Sequence, residues 1–137
     1  MKSKILFVIF ILTLAAHSTA QQQPDHTDPT EVSPEKYTVL LENEHVRIVE
    51  YVINPGEKDA WHTHPPKASY SVSGGKLRIT PEGADSFVVQ EDSGNGAWMG
   101  ALDRHFAENV GTTPVRIVLV EIKSLSDAPF EDAGRRD

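Results

Sequence analysis

Between residues 37 and 122 every apolar run is of strand length and is closed by a turn signal, and none shows helical periodicity. The runs cover 37–41, 46–53, 60–64, 68–72, 76–80, 86–90, 97–102, 105–110 and 115–122. Val, Ile and Tyr dominate 46–53, and Leu77 and Ile79 alternate with Lys76 and Arg78. Asn54-Pro55-Gly56 and Pro81-Glu82-Gly83 read as turns. Pro65-Pro66 ends the run 60–64, because proline cannot donate to a ladder. Gly74-Gly75 is the signal of a two-residue hairpin joining 68–72 to 76–80. The run 115–122 has a nearly continuous apolar centre, as expected for a strand buried in the core. The predicted fold class is all-β, an antiparallel β-sandwich or barrel of about eight to ten strands.

The rest of the chain bounds that domain. At 137 residues there is room for one core. Residues 1–20 carry Lys2 and Lys4, then an apolar stretch of about a dozen residues, then Ser18-Thr19-Ala20, the pattern of a cleaved signal peptide. The stretch is short of the roughly 20 residues a bilayer span needs. The expectation is a secreted or periplasmic product that begins near Gln21 and has no stable membrane association. Residues 21–33, rich in Gln, Pro, Asp and Thr, read as a disordered linker, 34–126 as the β domain, and 127–137 as a polar tail. The chain has no cysteine, so neither disulfides nor thiolate ligands enter the argument. Its formal net charge is −7, and Lys and Arg are nowhere clustered, which argues against nucleic acid as a partner.

Against that background the histidines stand out. Of six, His17 and His26 precede the predicted domain, and His45 falls in a polar turn. His62 and His64, one residue apart on an extended run, project from the same face, and Thr63 faces away. His105 lies in a later run. Three imidazoles converging from two strands would form a mononuclear metal site of nitrogen donors. Taken singly, each histidine reads equally well as a surface or hydrogen-bonded core residue.

The spacing resembles the cupin superfamily. Gly56, five residues, His62-Thr63-His64 and then Gly75 follow its first motif, and His105 with Asn109 follow the end of its second. The likeness covers about residues 37–124 and implies a single-domain jelly roll. Two positions depart from the pattern. The motif glutamate falls at Ala68 or Ser69, and the turn before His105 reads Gly100-Ala101-Leu102. What remains resembles the three-histidine cupins, among them thiol and diketone dioxygenases. The resemblance implies a divalent ion (Fe, Zn, Ni or Cu) held by His62, His64 and His105, a small-molecule ligand, and pairing of two copies. Tyr70, Trp98 and Tyr51 are candidates for the substrate pocket, Arg78 and Arg104 for a substrate carboxylate, and Glu108 for a partner of an imidazole N–H. Two functions follow from different classes. One is a metal-dependent, O2-using oxidoreductase acting on a small organic molecule. The other is a non-catalytic small-molecule or metal-binding module of the cell envelope, and a vestigial pocket is a third reading.

Overall fold

The computed structural model describes residues 26–123. The leader expected over 1–20, residues 21–25 of the 21–33 linker and the tail 127–137 therefore fall outside the described residues. One short helix, α1 (Pro29–Val32), precedes nine strands. These are β1 (Tyr37–Glu42), β2 (Val46–Ile53), β3 (His62–His64), β4 (Lys67–Ser73), β5 (Gly75–Pro81), β6 (Phe87–Glu91), β7 (Gly96–Met99), β8 (Leu102–Asn109) and β9 (Val115–Ile122). All pairings between them are antiparallel, in two sheets ordered β1-β2-β9-β4-β7 and β3-β8-β5-β6. The chain is an antiparallel β-sandwich, as its short apolar runs predict.

Period-two alternation sets the inward faces. In β2 the buried positions are Val49, Tyr51 and Ile53, and in β9 they are Val115, Ile117, Leu119 and Glu121. Tyr37 of β1 and Leu77 of β5 complete the core between the sheets, with Ile79 packed against it. Each fully buried aliphatic side chain contributes about 1.5–3 kcal/mol. Arg47 shares the parity of Val49 and pairs in register with Glu121, so the same alternation carries two opposite charges to one end of the core.

Two expectations need correction. Gly74-Gly75 does not close a hairpin: β4 pairs with β9 and β7, and β5 pairs with β6 and β8. The chain crosses there from one sheet to the other. Neither glycine has the positive φ a tight hairpin would require. Their small size is needed instead, since a Cβ on Gly74 would stand 2.1 Å from the Glu91 carbonyl oxygen and one on Gly75 2.7 Å from Val115 Cγ2.

The second correction concerns the linker. Residues 27–33 are folded onto the sandwich, not disordered. Asp28 caps α1 by accepting from the Thr30 N–H at 2.8 Å, and it also pairs with Arg47. Thr63 N–H donates to the Thr27 carbonyl at 2.9 Å, and Ser33 Oγ accepts from Ala60 N–H at 2.8 Å. Polar composition concealed the segment because it docks through hydrogen bonds and one ion pair. Thr63 faces away from its flanking histidines, as predicted, yet is buried because this arm covers it.

The crossover yields a test. Gly74→Ala should cost about 1–3 kcal/mol through backbone overpacking. Gly100→Ala, where an added Cβ meets nothing within 4 Å, should stay within about 0.5 kcal/mol of the wild type. Urea denaturation of both variants makes the comparison, and equal stabilities would refute the packing account.

Candidate metal centre

β3 and β8 run side by side with His62 opposite His105, and a register shift follows before His64 meets Leu102. Alternation on β3 and this pairing bring His62, His64 and His105 together, with their ligand nitrogens within 4.8 Å of one another. All three are buried.

Each ring is oriented through Nδ1. His62 Nδ1 lies 2.7 Å from the Ala60 carbonyl, His105 Nδ1 2.7 Å from the Asp103 carbonyl, and His64 Nδ1 2.8 Å from Glu121 Oε1. All three partners are acceptors, so in each neutral ring the proton belongs on Nδ1 and the lone pair on Nε2. His62 Nε2 and His64 Nε2 then face each other at 3.1 Å as two acceptors. That arrangement is repulsive unless a cation or a proton lies between them. Nitrogens bound at 2.0–2.1 Å to one ion at tetrahedral to right angles would be separated by about 2.8–3.4 Å, so the His62–His64 pair has the spacing of two ligands of one divalent ion, with His105 within 4.8 Å of both.

Burial tunes the basicity of these groups. Desolvation pushes His64 down to about 3, outweighing the opposing pull of Glu121. His105 is lowered for the same reason, despite its bond to the Asp103 carbonyl. Burial alone would raise Glu121, but hydrogen bonds from His64 and Arg47 hold it below the usual carboxylate range. Arg47 Nε donates to Glu121 Oε2 at 2.7 Å, and its Nη1 reaches Asp28. A continuous polar chain thus runs from the N-terminal arm to the His64 ring. On the other flank the Tyr37 hydroxyl donates to Asp59 Oδ2 at 2.8 Å and lies 3.2 Å from His62 Nε2. Tyr51 donates to the same oxygen at 3.1 Å, and the two phenol rings stack with centroids 4.5 Å apart. Burial, helped by the Asp59 charge, raises both phenols, which stay protonated.

The site opens on a cavity of about 360 Å³ lined by Leu77, Ile79, Val89, Ile117 and Leu119, with His64, His105, Tyr37, Tyr51 and Lys67 on its wall. Lys67 is 2% exposed, and burial brings its ammonium down to about 8.

Among the pocket candidates, Tyr51 lines this cavity, but Tyr70 and Trp98 do not. They are 53% and 60% exposed, on the outer face of β4 and β7. The physical reason is parity: Lys67, Ser69 and Ser71 stand opposite the inward residues Glu121, Leu119 and Ile117 of β9, which turns Ala68 and Tyr70 outward. Arg78 pairs with Glu108 at 3.0 Å on the surface, and Arg104 lies beside Glu82 and over the Trp61 ring. Trp61 packs on Phe106. Glu108 is thus no partner of a histidine, a role that Glu121 fills for His64. Asn109 is architectural, its amide donating to the Ile53 and Thr113 carbonyls. His45 is an exposed turn residue, as expected. Sequence reasoning missed Tyr37, Arg47, Asp59, Lys67 and Glu121; for Arg47 and Glu121 the signal was a charge at the buried parity of an apolar strand.

No protein-family model matches the chain, and no curated protein is significantly similar to it in sequence. Solved structures do match. A cupin domain from Bordetella pertussis superposes with a TM-score of 0.60 at 26% identity, covering 64% of this chain and 92% of that one. A cupin of double-stranded β-helix fold from Methanocaldococcus jannaschii gives 0.52 at 18% identity, covering 63% and 77%. The sandwich fold is shared with these domains, and the described residues form one β-sandwich of cupin fold.

Proposed function

We propose that His62, His64 and His105 bind one divalent transition-metal ion through Nε2, and that the metal acts on a small, largely apolar organic molecule held in the cavity. The observation that carries this reading is the common fixing of all three Nδ1 atoms, which leaves three converging lone pairs with no acidic hydrogen between them. Three protein ligands leave coordination positions for a reactant, as catalytic sites require. Iron or copper held there would supply O2 chemistry, and zinc or nickel would supply a Lewis acid. The protein's own groups do the rest. Glu121 keeps the His64 proton on Nδ1, and the apolar wall excludes water. Tyr37 Oη, bonded to Asp59, holds a proton beside the open face. An O2-using oxidoreductase is the activity this arrangement serves best.

Metal analysis of untagged protein, with O2 uptake measured over small organic acids and ketones, tests the reading. One equivalent of metal without turnover would assign a non-catalytic binding module, and no metal a vestigial pocket. Added Zn²⁺ should raise the melting temperature of the wild type and of His45→Ala, and leave that of His105→Ala unmoved. Equal responses from wild type and His105→Ala would place the ion elsewhere.

The pH dependence of the metal-free chain follows from ligand basicity. His64 is lowered from 6.5 to about 3, so its contribution to stability is present above pH 6.5 and is lost as pH falls towards 3. Each such group contributes a slope of up to about 1.4 kcal/mol per pH unit. Urea midpoints measured with chelator present should fall across that window, and a flat profile would contradict a buried neutral His64.

We further propose export, with cleavage after Ala20, and association of two copies. Mass spectrometry of the exported product should find an N-terminus at or near Gln21, and a retained Met1 would overturn the cleavage.

A further inference from the structure

Lys67 lies beside the histidine site without any role in building it. It opens β4 on the inward face, directly opposite Glu121 in register. Its Nζ is buried and has no hydrogen-bond partner among the described residues. Two carboxylates near it, Glu121 and Glu91, are engaged elsewhere, and a third on the cavity wall, Asp103, is solvent-exposed. Glu121 accepts from His64 and Arg47, and Glu91, also on the cavity wall, accepts from Ser71 Oγ at 2.7 Å. An ammonium buried without a partner is costly, and such a group persists where an exchangeable partner completes it. Methionine or leucine would fill the same space without that cost.

We propose that Lys67 is an anion-recognising residue of this cavity, and that the ligand is a small apolar molecule bearing one carboxylate or enolate oxygen that reaches Nζ. The inference deepens the metal-site reading by naming a substrate class. It rests on that reading only for the chemistry performed, because Lys67 and the cavity exist independently of the ion. The cavity of about 360 Å³ is at the small end of the usual range for ligand sites. Its aliphatic and aromatic lining accepts a hydrocarbon body, and one cation in such surroundings selects strongly for one negative charge. Tyr37 and Tyr51 supply protonated phenols on the same wall and present no competing anion.

The test is calorimetric titration of the full mature chain, metal-free and Zn²⁺-loaded, with butyrate, hexanoate and 3-phenylpropionate against the corresponding amides. The expected result is at least a tenfold preference for carboxylate over amide in the wild type. Lys67→Met should abolish that preference and Lys67→Arg should retain it. Removing an unpaired buried charge should also raise the melting temperature of Lys67→Met in the absence of ligand. Failure of the probes to bind, equal binding of acid and amide, a preference that survives in Lys67→Met, or a lower melting temperature for that variant would each overturn the proposal. Zn²⁺ affinity, measured by chelator competition, separates the two readings. Loss of metal binding with the carboxylate preference intact rejects the three-histidine site alone, and the converse rejects Lys67 alone.

Discussion

Glu121 is the residue on which the arrangement of the site depends. It sits on the buried parity of the most apolar strand, and the position is tenable because both carboxylate oxygens are bonded, one by His64 and the other by Arg47. Arg47 bridges Glu121 to Asp28, which caps the helix of the N-terminal arm. Removing Arg47 would leave the buried Glu121 carboxylate without its cation, and breaking one half of a buried pair typically costs about 3–5 kcal/mol. The chain therefore couples the orientation of one imidazole to the packing of β2, β9 and α1. The glutamate expected directly after the His-x-His segment is absent, and a carboxylate from another strand appears one shell further out. There it orients the His64 imidazole.

The opposite flank is organised differently. Asp59 is buried and satisfied by two phenols and by the Ala107 N–H at 2.6 Å. Among the described residues no Lys or Arg pairs with this second anion. Its charge is spread over three neutral donors, which keeps the Tyr37 hydroxyl directed and protonated. One side of the histidine cluster is thus held by ion pairing and the other by dipoles, and a cation entering between them would meet negative character from both.

The strands were legible because their runs were short, alternating and punctuated, and the histidine pair was legible because parity on β3 is unambiguous. Face assignment failed wherever parity was reset or hidden. Pro65-Pro66 carries the chain from one sheet to the other, so counting on from His64 gives the wrong face for β4. Ala68, at the motif's glutamate position, therefore faces outward and takes Tyr70 with it, while Lys67 faces in. In β9 both parities are apolar except at Arg116 and Glu121, and pattern alone could not tell which charge was buried. Gly74-Gly75 carried the composition of a turn but served close approach, a distinction that only the pairing of β4 and β5 with other strands reveals. Residues 27–33 looked like solvent-loving chain because their docking is polar.

β3 is three residues long and lies at the outer edge of its sheet, paired on one side by β8. The free backbone on its other side is where open sheets recruit foreign strands. The Thr27 carbonyl occupies the Thr63 amide, and the Thr63 hydroxyl accepts from the Thr27 N–H at 3.2 Å. The arm therefore acts as a guard on the sheet border that carries two of the three histidines. A chain trimmed at Pro34, where composition suggests the domain begins, would lose that guard and bare an adhesive margin next to imidazoles able to crosslink through metal. Self-association would then be the characteristic fault of an over-trimmed version of this protein.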